Sequence, residues 1–144
     1  MAINPPILLA LVLCDGTIRE AGTNKLSLIG TFNGVFAPNF PCTHPSLSVY
    51  VALTDGRGKV PCSLKMVSQA DQRELFNLPG QVDFQDPTGV AELVFQLHQV
   101  SFDREGSYTF EFYAQGEMLG SRRLVVHDVR KNPPPGGNNP NRNN

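Results

Sequence analysis

The residues suited to proton transfer or metal binding are few: three histidines and thirteen Asp and Glu side chains. His44, His98 and His127 lie far apart in the chain. Catalytic triads need no proximity in sequence, so a general base could still assemble from them in three dimensions. The stretches that mark such chemistry are missing, however. There is no G-x-S-x-G, no H-E-x-x-H, no glycine-rich phosphate loop and no GxGxxG after a strand. A structural or surface role is therefore the expectation for each histidine, with no enzymatic activity and no cofactor. The acidic turns offer a different chemistry. If the strands simply alternate direction, Asp15, Asp55, the Asp83–Asp86 stretch and Glu117 fall at one end of the molecule. Loop carboxylates in one place are what Ca²⁺ requires, since it takes about six to eight oxygen ligands. Asp is also the residue turns prefer, and no dense D-x-D pattern is present, so the metal reading is the lesser alternative.

Cys14, Cys42 and Cys62 are odd in number, widely spaced and free of any CxxC. A disulfide framework favours even counts, which points to a reducing cytoplasm rather than secretion. Nothing near Cys42 in sequence lowers its pKa to make a reactive thiol. Cys42 belongs to the stretch FAPNFPCTHP, residues 36–45, which also holds Phe36, Phe40 and His44. Exposed, those side chains form an apolar contact patch for another protein. Folded back, they plug the open end of the fold. Arg122-Arg123 reads as edge charge that discourages strand pairing.

These groups must be carried by strands. The segment 106–126, GSYTFEFYAQGEMLGSRRLVV, alternates Tyr108, Phe110, Phe112 and Ala114 with Thr109, Glu111, Tyr113 and Gln115. It breaks at Gln115-Gly116 and resumes at Leu124-Val125-Val126, the pattern of a β-hairpin. Other strands are predicted over about 7–14, 26–35, 47–53 and 62–67, with a short one over 73–78, a weak edge around 82–84, and another over 91–97. In the third, Leu47, Val49, Val51 and Leu53 point inward. Asp15-Gly16 and Asp55-Gly56 read as strand-ending turns, because Asp accepts bonds from the following backbone and Gly supplies positive φ. Pro38, Pro41 and Pro45 lack a ladder donor, so 36–45 reads as a crossover between sheets.

The 144 residues are 40% hydrophobic and 17% charged, the composition of one globular domain. A net charge of -1 leaves no electrostatic footprint for nucleic acid or an anionic membrane. The apolar run Ile7 to Leu13 has no Lys or Arg before it and is too short to cross a bilayer, so a buried strand is expected there. From Lys131 onward the chain reads KNPPPGGNNPNRNN, with no apolar side chain but proline. The expectation is one all-β domain over 1–130, an antiparallel β-sandwich of about eight strands, and a disordered tail over 131–144.

Gly106-Ser107-Tyr108-Thr109-Phe110 resembles the corner before the penultimate strand of immunoglobulin-like sandwiches, where a Tyr anchors the loop through its hydroxyl. The resemblance implies an immunoglobulin-like Greek key with Gly106 and Tyr108 in structural roles. The Cys–Trp–Cys core signature is absent, since the chain has no Trp. Over a longer span the chain is similar to a bacterial family of small uncharacterised proteins. The matching pieces are LCDG at 13–16, LIGTFNGVFAP at 28–38, THPSLSVYVALTDG at 43–56, AELVFQL at 91–97 and the hairpin 106–126. This similarity implies an all-β sandwich and a bacterial source, and it carries no activity or catalytic residue. The function expected is a non-enzymatic cytoplasmic module that binds another protein, with no nucleic-acid or membrane partner. The alternatives are a structural subunit assembling through edge strands, or a Ca²⁺-binding module with Asp15, Asp55, Asp83 and Asp86 as ligands.

Overall fold

Period-two alternation places one face of each strand in the core, and the computed structural model, which describes residues 4–131, shows how those faces meet. Nine strands form: β1 (Ile7–Arg19), β2 (Leu26–Thr31), β3 (Gly34–Ala37), β4 (Cys42–Thr54), β5 (Gly58–Ser68), β6 (Glu74–Phe84), β7 (Val90–Phe102), β8 (Gly106–Ala114) and β9 (Glu117–Asp128). They make a four-stranded sheet in the order β2-β1-β4-β7 and a five-stranded sheet in the order β3-β9-β8-β5-β6. Every pairing is antiparallel except β3 with β9, which is parallel. No helix among the described residues is long and apolar enough to cross a membrane.

The core is built from facing rows. Leu47, Val49, Val51 and Leu53 of β4 are fully buried, as are Phe110 and Phe112 of β8, and Tyr108 is only 3% exposed. Phe95 meets Phe112 edge-on at 6.3 Å between ring centroids, and Phe102 meets Tyr108 at 4.9 Å. The β8–β9 connection is Gln115-Gly116, both with positive φ, 53° and 81°. That is a two-residue turn whose twist suits the flanking strands.

Several sequence expectations change. The stretch 26–35 is two strands, because β2 pairs with β1 in one sheet and β3 with β9 in the other, and the chain changes sheets at Phe32-Asn33. The crossover is correspondingly shorter than 36–45, since β3 reaches Ala37 and β4 starts at Cys42. Pro45 lies inside β4 yet breaks no pairing with β1, which covers only Ser48 to Thr54. It also falls where the β4–β7 ladder skips, near Gln99 with φ 56°. Asp15-Gly16 does not end a strand: β1 continues through it to Arg19, held by β2. The segments 73–78 and 82–84 are one strand, because β6 is an edge and Pro79 costs an edge no ladder bond. Lys131, expected in the tail, closes a turn, its amide donating to the Asp128 carbonyl at 3.1 Å. The rest of that expectation, 132–144, lies outside the described residues.

Candidate functional site

Two sheets of unequal width leave a seam along the side where β6 and β7 are the edges. The strands join through the 85–89 turn, close together, and diverge away from it. Near the narrow end Gly80 permits the approach: a Cβ there would lie 3.2 Å from Cys62 Sγ and 3.6 Å from the Phe95 ring. Farther along, the seam opens into a cleft of about 660 Å³ between the first half of β6 and the second half of β7. Its apolar wall includes Met66, Phe76, Leu78 and Leu97, and its polar rim includes Gln96 and His98. Phe76 also packs on Phe110 at 6.1 Å. The wide end is tied by ion pairs between loops, Arg73 with Asp103 at 2.5 Å and Arg104 with Asp71 at 2.8 Å. The Asp103 carboxylate raises the Arg73 pKa by hydrogen bonding it, and the Arg73 amide is the chief cause of the lowered Asp71 pKa.

The β7 edge beside this cleft is unusual among the four edges. β2 has six residues and β3 has four, too short to offer a long ladder. β6 carries Pro79, with Glu74 and Asp83 toward its ends. β7 offers thirteen residues, VAELVFQLHQVSF, without a Pro, Lys or Arg. Short edges, prolines and lysines are how sheets avoid unwanted pairing, and β7 has none of these. Its outer face exposes Val90 at 59% and Val94 at 37%. Glu92 on the same face accepts a bond from the Tyr50 hydroxyl at 2.5 Å, and Tyr50 is pushed up to about 12 by burial first and Glu92 second. Sequence reasoning missed this edge. The signal was available in the absence of protective residues over 90–102, but only strand order makes β7 an edge.

The residues expected to act are dispersed. Phe36 is on the short edge β3, 36% exposed and stacked on His127 at 4.6 Å. Phe40 packs against the core, and His44 leans on the Phe32 ring at 5.4 Å. Asp55, Asp83, Asp86 and Glu117 do lie toward one end, but Asp15 does not. Ile7 rather than Asp15 pairs with Thr54, so Asp15 and Asp55 are separated by roughly 25 Å of strand. Asp86 is occupied by the Thr88 amide and hydroxyl at 2.9 and 2.8 Å, which lower its pKa. Among the described residues no three His, Cys, Asp or Glu converge to hold a metal ion. The three cysteines are free, and burial raises each thiol pKa, the opposite of what a nucleophile needs. The tyrosine corner is present as geometry: the Tyr108 hydroxyl donates to the Arg104 carbonyl at 2.7 Å, and Gly106 has φ 141°.

The fold and the site define an all-β domain of two packed sheets with an open seam and one unprotected edge. The chain belongs to a family of unknown function (DUF6941), which matches residues 9–127. No curated protein matches it. Among solved structures it is similar to the Pseudomonas fluorescens alkylpurine DNA glycosylase AlkC bound to DNA containing an abasic site analog, at 7% identity and a TM-score of 0.44. That likeness covers 66% of this chain and 28% of the glycosylase chain.

Proposed function

We propose that this protein is a non-enzymatic binding module that engages another polypeptide along the free edge of β7, over the seam cleft. One observation carries the reading: β7 is a thirteen-residue edge with no Pro, Lys or Arg, beside an apolar-walled cleft. An added strand would satisfy the outward N–H and C=O groups of β7, while alternate side chains would enter the cleft for specificity. Three free thiols support a reducing, cytoplasmic setting. The tyrosine corner and the flanking of β8 by β9 and β5 support an immunoglobulin-like Greek key.

The test is affinity capture from the source cells with wild type, Val94→Lys and Phe36→Ser as baits. Val94 is on the solvent side of the β7 edge, so Lys there obstructs pairing without entering the core. Capture lost in Val94→Lys and kept in Phe36→Ser is expected. Capture that ignores Val94→Lys and disappears in Phe36→Ser moves the binding surface to β3.

A further inference from the structure

We infer that the polypeptide received at the β7 edge is a second copy of this chain, paired antiparallel to it about a twofold axis through Phe95. The inference rests on the reading of β7 as the binding edge and adds the identity of its partner. In a twofold interface residue i meets j while j meets i, so the edge must be complementary to its own reversed sequence. Reversed about Phe95, Glu92 falls opposite the partner's His98, Leu93 opposite the partner's Leu97, and Val94 opposite the partner's Gln96. Each of these pairs occurs twice. A ring N–H of His98 can donate to the Glu92 carboxylate of the other copy, while Tyr50 fixes that carboxylate on the outer face of the sheet.

Other registers lose this match. Centring on Val94 puts Glu92 against Gln96, and centring on Gln96 puts it against Val100. An offset by a single residue would oppose side chains that face opposite sides of the two sheets, which a continuous antiparallel ladder does not allow. The ladder also has natural ends. The 85–89 turn lies before Val90, and Gln99, at φ 56°, interrupts regular pairing just past His98. Residues 92–98 between them are a usual strand length.

A ladder alone buries little side-chain surface. Here the twofold also lays residues 91–94 of each copy alongside the cleft of the other, which runs along residues 96–101, and sets Val94 against the partner's Gln96 on the outer face. Charge does not oppose the union. Each chain carries a net charge of -1, and Arg73 and Asp103 at the cleft end neutralise each other.

The experiment is light scattering on the size-separated full chain over a range of micromolar concentrations. Wild type is expected at twice 15.8 kDa. His98→Glu sets Glu against Glu twice and is expected to weaken the dimer by about tenfold, because each directly opposed like-charge pair costs up to about 1 kcal/mol. Glu92→Lys combined with His98→Glu restores opposite charges and is expected to restore the dimer. Circular dichroism checks that each variant remains folded, as it should with both side chains exposed. A dimer indifferent to His98→Glu, or a charge swap that fails to restore it, overturns the register. A monomeric wild type whose capture of another protein still depends on Val94 overturns the second copy and leaves the binding edge intact. A dimer that persists in both Val94→Lys and His98→Glu places self-association on another surface and overturns the second copy at this edge.

Discussion

At the scale of single residues, the polar atoms that matter are those whose partners are backbone. Tyr108 shows why. Its ring fills the core beside Phe102, while its hydroxyl reaches back four residues to the Arg104 carbonyl. The bond ties the 103–105 loop to β8 at the point where Gly106 takes a backbone conformation that other residues rarely adopt. Tyr108→Phe keeps the packing and strands the carbonyl. It is expected to cost about 1 kcal/mol in a urea titration, the usual loss when a part-buried acceptor loses its donor. An unchanged midpoint would mean that water replaces the hydroxyl at no cost. The thiols illustrate the reverse situation: Cys14 is fully buried, with its S–H donating weakly to the Ser48 carbonyl at 3.6 Å, and it acts as a small apolar filler.

At the scale of elements, the β8–β9 hairpin is well specified in its strands and poorly specified in its turn. Gln115 occupies a left-handed conformation, φ 53°, that Asn tolerates better than Gln. Its Oε1 is also buried without a hydrogen-bond partner. Gln115→Asn relieves the backbone penalty and keeps the bond from the residue 115 amide to the Pro61 carbonyl at 3.0 Å. The expected gain is about 0.5–1 kcal/mol, read as a higher melting temperature with unchanged denaturant slope. A loss would show that the Gln side chain is held by something stronger than its turn penalty. The β7 edge is the opposite case. Its interior face packs well, and over 90–98 its sequence carries no Pro, Lys or Arg against pairing, so its edge is open to a neighbouring strand.

At the scale of the whole molecule, stability responds to acid through the turn that follows β9. Asp128 is nearly buried and accepts from the Arg130 side chain and from its amide, at 2.8 to 3.0 Å. The Arg130 guanidinium first, and its amide second, hold the carboxyl down to about 2. An unfolded Asp titrates near 3.9, so between those values the unfolded chain binds more protons than the folded one. The stabilisation from Asp128 is therefore complete above about pH 4 and disappears as pH falls toward about 2. Asp128→Asn should lower the melting temperature at neutral pH and flatten its decline across that acid window. An equally steep decline in the variant would assign the acid sensitivity to other carboxylates.

What the sequence determined by itself was the local rule of each strand. The alternation of Tyr108, Phe110, Phe112 and Ala114 placed that face inside, and the positive-φ turn at 115–116 fell where Gln-Gly interrupts it, because both properties depend only on neighbours in the chain. Proline misled the reading of 36–45 and 73–84, since its missing donor is costly only where a partner strand lies on that side, and partners are chosen by the fold. The same limit governs the site. Asp15 and Asp55 share a local signature, yet the β1–β4 register sets them a strand's length apart. Arg73 and Asp103, thirty residues apart, meet only because β6 and β7 flank one seam. Whether a strand is central or an edge is likewise invisible in its own residues. It is decided by which sheet each strand joins, a long-range competition for buried apolar surface that only the tertiary structure resolves.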